Sequence, residues 1–162
     1  NETPFQIDTQ AWKASETFRT LQGAEIWCEH GEWIEAEKPV FAPDIQIRLE
    51  WCATISADDV AIAKQQRQAF TDWIQSELKD SVLIMPTTPG LSPLFEIDVD
   101  ELAEYRNQLM DITAVAGLAG LPQLHLPVCE LEGAPCGLSL VGPKGSDLAL
   151  IELAKTLLEQ RL

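Results

Sequence analysis

Apolar side chains recur at the three- and four-residue spacing of an α-helix in five stretches of this chain. These stretches lie at about residues 15–38, 43–51, 56–78, 98–116 and 146–158. A stripe of apolar residues along one face of a helix is normally buried against other elements. We therefore expect five helices that pack around a common core.

The third stretch has the clearest start signal. Ser56 and Asp59 form an S-x-x-D capping box, which satisfies free backbone N–H groups at a helix N-terminus. The apolar stripe of this helix consists of Val60, Ala63, Phe70, Ile74 and Leu78. Arg67 interrupts the stripe, and we expect its long stem to reach out of the core or its guanidinium to pair with an acid. Ser146 is expected to cap the last helix.

Three shorter stretches have the pattern of strands. Residues 81–86 are almost continuously apolar, which predicts a strand covered on both faces, as in a parallel or mixed sheet. Residues 123–129 alternate between apolar and polar side chains, and residues 136–142 follow after a turn at residues 132–135. Strands between long helices predict the α/β class, with helices packed around a few buried strands.

Charge narrows the range of partners. The 162 residues include 26 acids and 11 basic residues, which gives a formal net charge of -15. Such a chain repels nucleic acids and anionic membranes, so we expect neither as a partner. No apolar run approaches the roughly 18 residues of a membrane span, and no signal peptide opens the sequence. We expect a cytoplasmic protein.

The cysteines do not have the spacing of a metal site. Cys28, Cys52, Cys129 and Cys136 contain no C-x-x-C pair, and the chain has only two histidines. We therefore expect no metal site and no cofactor. Cys129 and Cys136 fall on the two arms of the predicted hairpin, where they could be cross-strand neighbours. Unpaired, buried thiols are the preferred interpretation for all four cysteines.

The residues alone name no reaction. The sequence lacks a G-x-S-x-G elbow, a P-loop, a G-x-G-x-x-G fingerprint and an H-E-x-x-H pair. His125 has no evident nucleophile or carboxylate beside it, so we expect a hydrogen-bonded structural histidine. Thr87 and Thr88 follow a strand, where α/β proteins often bind ligands, although capping of the turn is preferred. We assign no catalytic residue.

The spacing of glycines and prolines is more specific. Residues 86–90 read P-T-T-P-G, and residues 113–122 read T-A-V-A-G-L-A-G-L-P. After a strand that contains Pro127, residues 134–154 read A-P-C-G-L-S-L-V-G-P-K-G-S-D-L-A-L-I-E-L-A. This pattern, with the helices before it, resembles the C-terminal third of the amidase signature family. The resemblance covers nearly the whole chain.

The resemblance implies a hydrolase or amidotransferase that acts on carbon–nitrogen bonds. Family members use a Ser nucleophile, a bridging cis-Ser and a Lys, which lie in a Gly/Ser-rich core. This chain contains no such core. The resemblance therefore implies that residues 1–162 are a single segment, the C-terminal portion of one amidase domain, which adds strands of a mixed sheet and part of the substrate pocket.

Within the family, the end of the helix before G-L-P faces the substrate. Carried over residue by residue, this implies that Met110, Thr113, Ala114 and Gly117 contact the substrate. Arg48 matches a basic position near the substrate entrance of some members.

The chain departs from the family pattern at two strand positions. Ser139 stands where many members carry Gln, which leaves the substrate specificity open. Cys136 stands where Val or Ile is usual, which is a conservative change for a buried strand.

Two hypotheses follow. In the first, the segment is part of an amidase, it is inactive alone, its partner is the N-terminal portion of the same enzyme, and its substrate is a small amide. A homodimer is compatible with this hypothesis. In the alternative, the chain is a non-catalytic module derived from the family, which pairs with a partner through an exposed sheet edge.

Overall fold

The computed structural model describes residues 4–159. In this range, five helices and three strands follow one another along the chain. They are α1 (Ala14–Glu37), α2 (Pro43–Thr54), α3 (Ala57–Leu78), β1 (Leu83–Pro86), α4 (Val99–Ala119), β2 (Gln123–Leu131), β3 (Ala134–Val141) and α5 (Asp147–Glu159). The α/β class and the five helices are confirmed.

The strands form an antiparallel sheet in the order β1-β3-β2. One face carries Leu126 and Leu140, which pack with Leu150 and Ala154 of α5. The opposite face carries Val141, which joins the core of the helical layer. The sheet therefore lies between α5 on one side and the other helices on the other side.

The helical layer is built around α1, which packs against α2, α3 and α4. Its centre is fully buried and contains Phe70, Ile74, Val115 and Leu118. Trp12 closes the N-terminal side of this core, because its ring stands edge-on to Phe70 at 5.5 Å between centroids. Aromatic pairs in this geometry add about 0.5–1.5 kcal/mol to the stability that burial provides.

The capping box of α3 is confirmed. The Ser56 hydroxyl accepts from the N–H of Asp59, and the Asp59 carboxylate accepts from the N–H of Ser56 at 2.9 Å. Arg67 differs from expectation, because its Nε donates to the carbonyl oxygen of Leu118 at 2.9 Å and not to an acid. This carbonyl lies in the last turn of α4, where no helical N–H is available to it. Arg67 thus links α3 to the end of α4.

Gly120 ends α4 at the predicted G-L-P turn. Its φ of 63° is left-handed, and the N–H of Leu121 reaches back to the carbonyl of Ala116 at 3.0 Å. This is the six-residue bond of a Schellman motif, which glycine favours because it has no Cβ. The chain leaves the helix through Pro122 and enters β2 directly.

The hairpin between β2 and β3 is tighter than expected. Only Glu132 and Gly133 form the turn, with φ values of 53° and 80°, and Pro135 belongs to β3. Two left-handed residues match the natural twist of the strands, so the two-residue turn is favoured over a longer one.

The hairpin places Cys129 directly opposite Cys136, so the cross-strand arrangement is confirmed. All four cysteines are unpaired, and Cys52 is buried. The expectation that the other thiols are buried is wrong for Cys28, which is exposed on α1. The same expectation is only partly met for Cys129 and Cys136, which are half-buried.

Two further expectations are corrected. The strand β1 is not covered on both faces, because Ile84 is 59% exposed at the edge of the sheet within the described residues. Ser146 does precede α5, and its carbonyl accepts from Leu150. Its hydroxyl, however, is buried against Gly142 and has no hydrogen-bond partner in the part of the chain that the structure describes, so it does not cap the helix.

Candidate substrate cleft

A cleft of about 710 Å³ lies between α1, α2 and α4. Arg48 of α2 and Met110 and Thr113 of α4 all line it. These three residues come from the set that the family pattern assigns to the substrate pocket. The structure therefore brings three of those five residues together at one cavity.

Gly23 allows α1 and α2 to approach closely at the base of the cleft. A Cβ at this position would lie 2.7 Å from the side chain of Ile55 and 2.8 Å from that of Trp51. Both distances are shorter than real Cβ contacts, so a larger residue would require these side chains to shift. The glycine thus permits the close packing of α1 and α2 at the base of the cleft.

The cleft is positively charged in an acidic chain. Arg19, Arg48 and Arg106 line it, together with a single acid, Glu16. Each arginine is the only arginine or lysine of its helix. Lys13 lies 4.0 Å from Glu16 and offsets its charge.

Two of the arginines are held by neutral groups. Arg19 donates to Oδ1 of Asn107 at 2.9 Å, and Arg48 donates to Oε1 of Gln22 at 3.4 Å. Burial raises the pKa of the Cys52 thiol, and the Arg48 guanidinium opposes this rise. Cys52 therefore stays a neutral thiol at the base of the cleft.

The other two expected pocket residues lie elsewhere. Ala114 is 1% exposed and belongs to the helical core. Gly117 lies against Phe18, whose ring would be 3.1 Å from an added Cβ. Neither residue lines the cleft, and a role for them in substrate contact stays a prediction.

Arg19, Arg106 and Trp51 also line the cleft and were not expected from the sequence. A signal for the two arginines was present, because each is the only cation in a long acidic helix. Periodicity alone does not reveal it, since the angle of each helix about its axis depends on packing.

A second polar cluster lies on the sheet. The Thr87 hydroxyl is 2.7 Å from Nδ1 of His125 and 2.8 Å from the hydroxyl of Ser139. Gln123 also donates to Ser139, at 2.8 Å. His125 is thus hydrogen-bonded as expected. The cluster ties the loop after β1 to the sheet, while Thr88 caps the turn by donating to the Gly90 carbonyl at 2.8 Å.

The described residues contain neither a cluster of metal ligands nor a helix that could span a membrane. No three His, Cys, Asp or Glu side chains in residues 4–159 lie close enough together to hold a metal ion. None of the helices in that range combines the length and the apolarity that crossing a membrane requires.

Comparison with known proteins identifies the family. The Amidase family model matches residues 34–151, which is well over half of the chain. The chain belongs to the Amidase family. The matched range contains α2 to β3 and so includes the α2 and α4 walls of the cleft.

Individual relatives agree with the family match. Amidase 1 of Arabidopsis thaliana is 31% identical over 144 residues, which are 88% of this chain and 34% of that protein. A crystal structure of an amidase superposes with a TM-score of 0.80 at 24% identity, over 92% of this chain and 35% of the other. Outer envelope protein 64 of the Arabidopsis thaliana chloroplast is 26% identical, over 85% of this chain and 23% of that protein. The chain spans about a third of the length of the first two amidases.

Proposed function

We propose that this chain is the C-terminal segment of an amidase that hydrolyses a carbon–nitrogen amide bond. The Ser, cis-Ser and Lys of such an enzyme lie outside the segment, in a Gly/Ser-rich portion that is its main partner. The segment contributes strands to the sheet and forms one wall of the pocket for a small amide. It is inactive alone.

The cleft carries this proposal. Arg48, Met110 and Thr113 come from two different helices, and they meet at one cavity of about 710 Å³. That volume matches the pockets in which proteins bind small molecules, roughly 300–1,000 Å³. Membership of the Amidase family supplies the reaction class.

Exposed apolar side chains support the larger assembly. Val40 and Phe95 are fully exposed, and Leu148 is 78% exposed. Both outer strands of the three-stranded sheet also lack a second neighbour within residues 4–159. Open edges and apolar patches are normally covered in a native protein, and the remaining portion of the enzyme covers them in this proposal.

Ammonia release from a panel of primary amides tests the proposal. The complete protein that contains this segment should hydrolyse at least one of them, and residues 1–162 expressed alone should hydrolyse none. Co-expression of the segment with the remaining portion should restore the activity. A complete, folded protein that releases no ammonia from any amide would contradict the proposal.

The alternative is a non-catalytic module that pairs with a partner through a sheet edge. The two open edges of the sheet within residues 4–159 favour it, because an unpaired strand edge can pair with another chain. This alternative predicts no ammonia release from the complete protein. We place the enzyme of the first proposal in the cytoplasm, and fractionation of cells with an antibody against the segment tests that location.

A further inference from the structure

The three arginines of the cleft have no acidic partner among residues 4–159. The ion pairs within residues 4–159 join Lys13 to Glu16 and Lys155 to Glu152, so none of them includes an arginine. Arg19 and Arg48 donate to neutral amide oxygens, and the guanidinium of Arg106 makes no hydrogen bond or ion pair within those residues. The three guanidinium charges are therefore not neutralised by this part of the protein.

Unpaired arginines are unexpected in a chain with so many acidic residues. The protein has five arginines and a formal net charge of -15, with 26 acids available for pairing. Three of the five arginines nevertheless line the same cleft, each from a different helix. Arginine is the residue that proteins use for planar recognition of carboxylates, because its fork of N–H donors matches two carboxylate oxygens. The cleft thus presents three guanidinium groups whose donors suit an anion.

The cleft also has an apolar wall. Ile26, Trp51, Leu109 and Met110 line it beside the arginines. Trp51 is 41% exposed, so part of its ring is available to a ligand. An anion such as phosphate or sulfate would leave this wall uncovered. A carboxylate on an apolar body satisfies both parts of the cleft.

We infer that the amide substrate carries a carboxylate at the end opposite its amide, which the cleft arginines bind while Trp51 and Met110 contact the apolar spacer. This inference rests on the proposed function. Asn107 and Gln22 position the guanidinium groups of Arg19 and Arg48 without cancelling their charge. The carboxylate supplies the missing counter-charge.

Two amides of the same length test this inference in the complete enzyme. Adipamate ends in a carboxylate, and hexanamide ends in a methyl group at the same position. We expect kcat/KM to be roughly 10- to 100-fold higher for adipamate, since a hydrogen-bonded ion pair contributes an effect of that size. The preference should fall at high ionic strength, because salt screens exposed charges.

Single substitutions locate the preference in the cleft. Arg48→Gln and Arg106→Gln should each reduce the ratio of adipamate to hexanamide kcat/KM by about 10-fold, mainly through a higher KM for adipamate. Lys144→Gln is the matched control, because it removes one exposed cation from the loop after β3, away from the cleft. Its ratio should equal that of the unmodified enzyme.

The outcomes separate this inference from the proposed function. Hydrolysis of both amides at equal rates, or a ratio that the two arginine substitutions leave unchanged, overturns the inference and leaves the amidase function standing. If the arginines instead pair with acids of the remaining portion, their substitution lowers thermal stability without changing the ratio, which also overturns it. If neither amide is hydrolysed, calorimetry decides: binding of adipamate but not hexanamide, weakened by Arg48→Gln, supports the inference, and absence of adipamate binding overturns it.

Discussion

Two serines with buried hydroxyl groups provide a matched test of the polar interior. The Ser139 side chain is fully buried, and its hydroxyl is 2.8 Å from both Thr87 and Gln123. The Ser146 hydroxyl is also buried, but it has no hydrogen-bond partner among residues 4–159. Serine to alanine removes the same single oxygen atom at both positions.

The two substitutions should have opposite signs. A satisfied hydrogen bond contributes about 0.5–1.5 kcal/mol net, so Ser139→Ala should lower the free energy of unfolding by about 1–3 kcal/mol. A buried hydroxyl without a partner is already destabilising. Ser146→Ala should therefore leave the free energy of unfolding unchanged or raise it by about 1 kcal/mol.

Native-state hydrogen exchange in the complete protein measures both effects. Peptides that cover β3 report on Ser139, and peptides that cover α5 report on Ser146, across a series of urea concentrations. A loss of about 1 kcal/mol for Ser146→Ala would mean that this hydroxyl caps α5 after all. An unchanged Ser139→Ala variant would mean that the hydrogen bonds on the sheet contribute nothing net.

One substitution and one reagent test two further features, the capping box of α3 and the buried thiol of Cys52. Hydrogen bonds from Ser56 lower the pKa of Asp59, so the capping stabilisation is present above the unfolded pKa of about 3.9 and is lost as the pH falls through the folded value. Ser56→Ala should speed amide exchange in the first turn of α3 roughly five-fold at pH 7, and much less at low pH; an equal effect at both values would contradict this linkage. Iodoacetamide should modify Cys52 at least roughly 10-fold more slowly than Cys28 at pH 8, because burial raises the Cys52 pKa, and urea should abolish the difference. Equal rates in the native protein would argue against the buried thiol.

Local signals in the sequence were sufficient to predict most of the helices. Ser56 and Asp59 mark the start of α3 because the capping box uses only residues three positions apart. Gly120 marks the end of α4 for a similar reason, since its left-handed φ is a local requirement. Helix ends of this kind are set by residues close together in the sequence, so they can be predicted without knowledge of the tertiary structure.

Features that depend on contacts between distant parts of the chain were harder to predict from the sequence. Residues 81–86 have the apolar pattern of a doubly covered strand, yet β1 lies at an edge with Ile84 exposed. An apolar run does not reveal the place of a strand in its sheet, because that place depends on contacts with elements distant along the chain. The convergence of Arg19 and Arg106 on one cleft depends on helix rotation and crossing, which periodicity does not encode.

The order of strands in the sheet has a consequence for folding kinetics. The β2–β3 hairpin closes a turn of only two residues, whereas pairing of β1 with β3 closes a loop of about 50 residues that contains α4. The entropy cost of such a loop is about 3.5 kcal/mol, against which β1 offers a ladder of four residues along one edge. The hairpin can therefore form on its own in microseconds, whereas β1 pairs with β3 only after α3 and α4 have packed. The loop that carries Thr87 is then among the last parts of the chain to reach its final position.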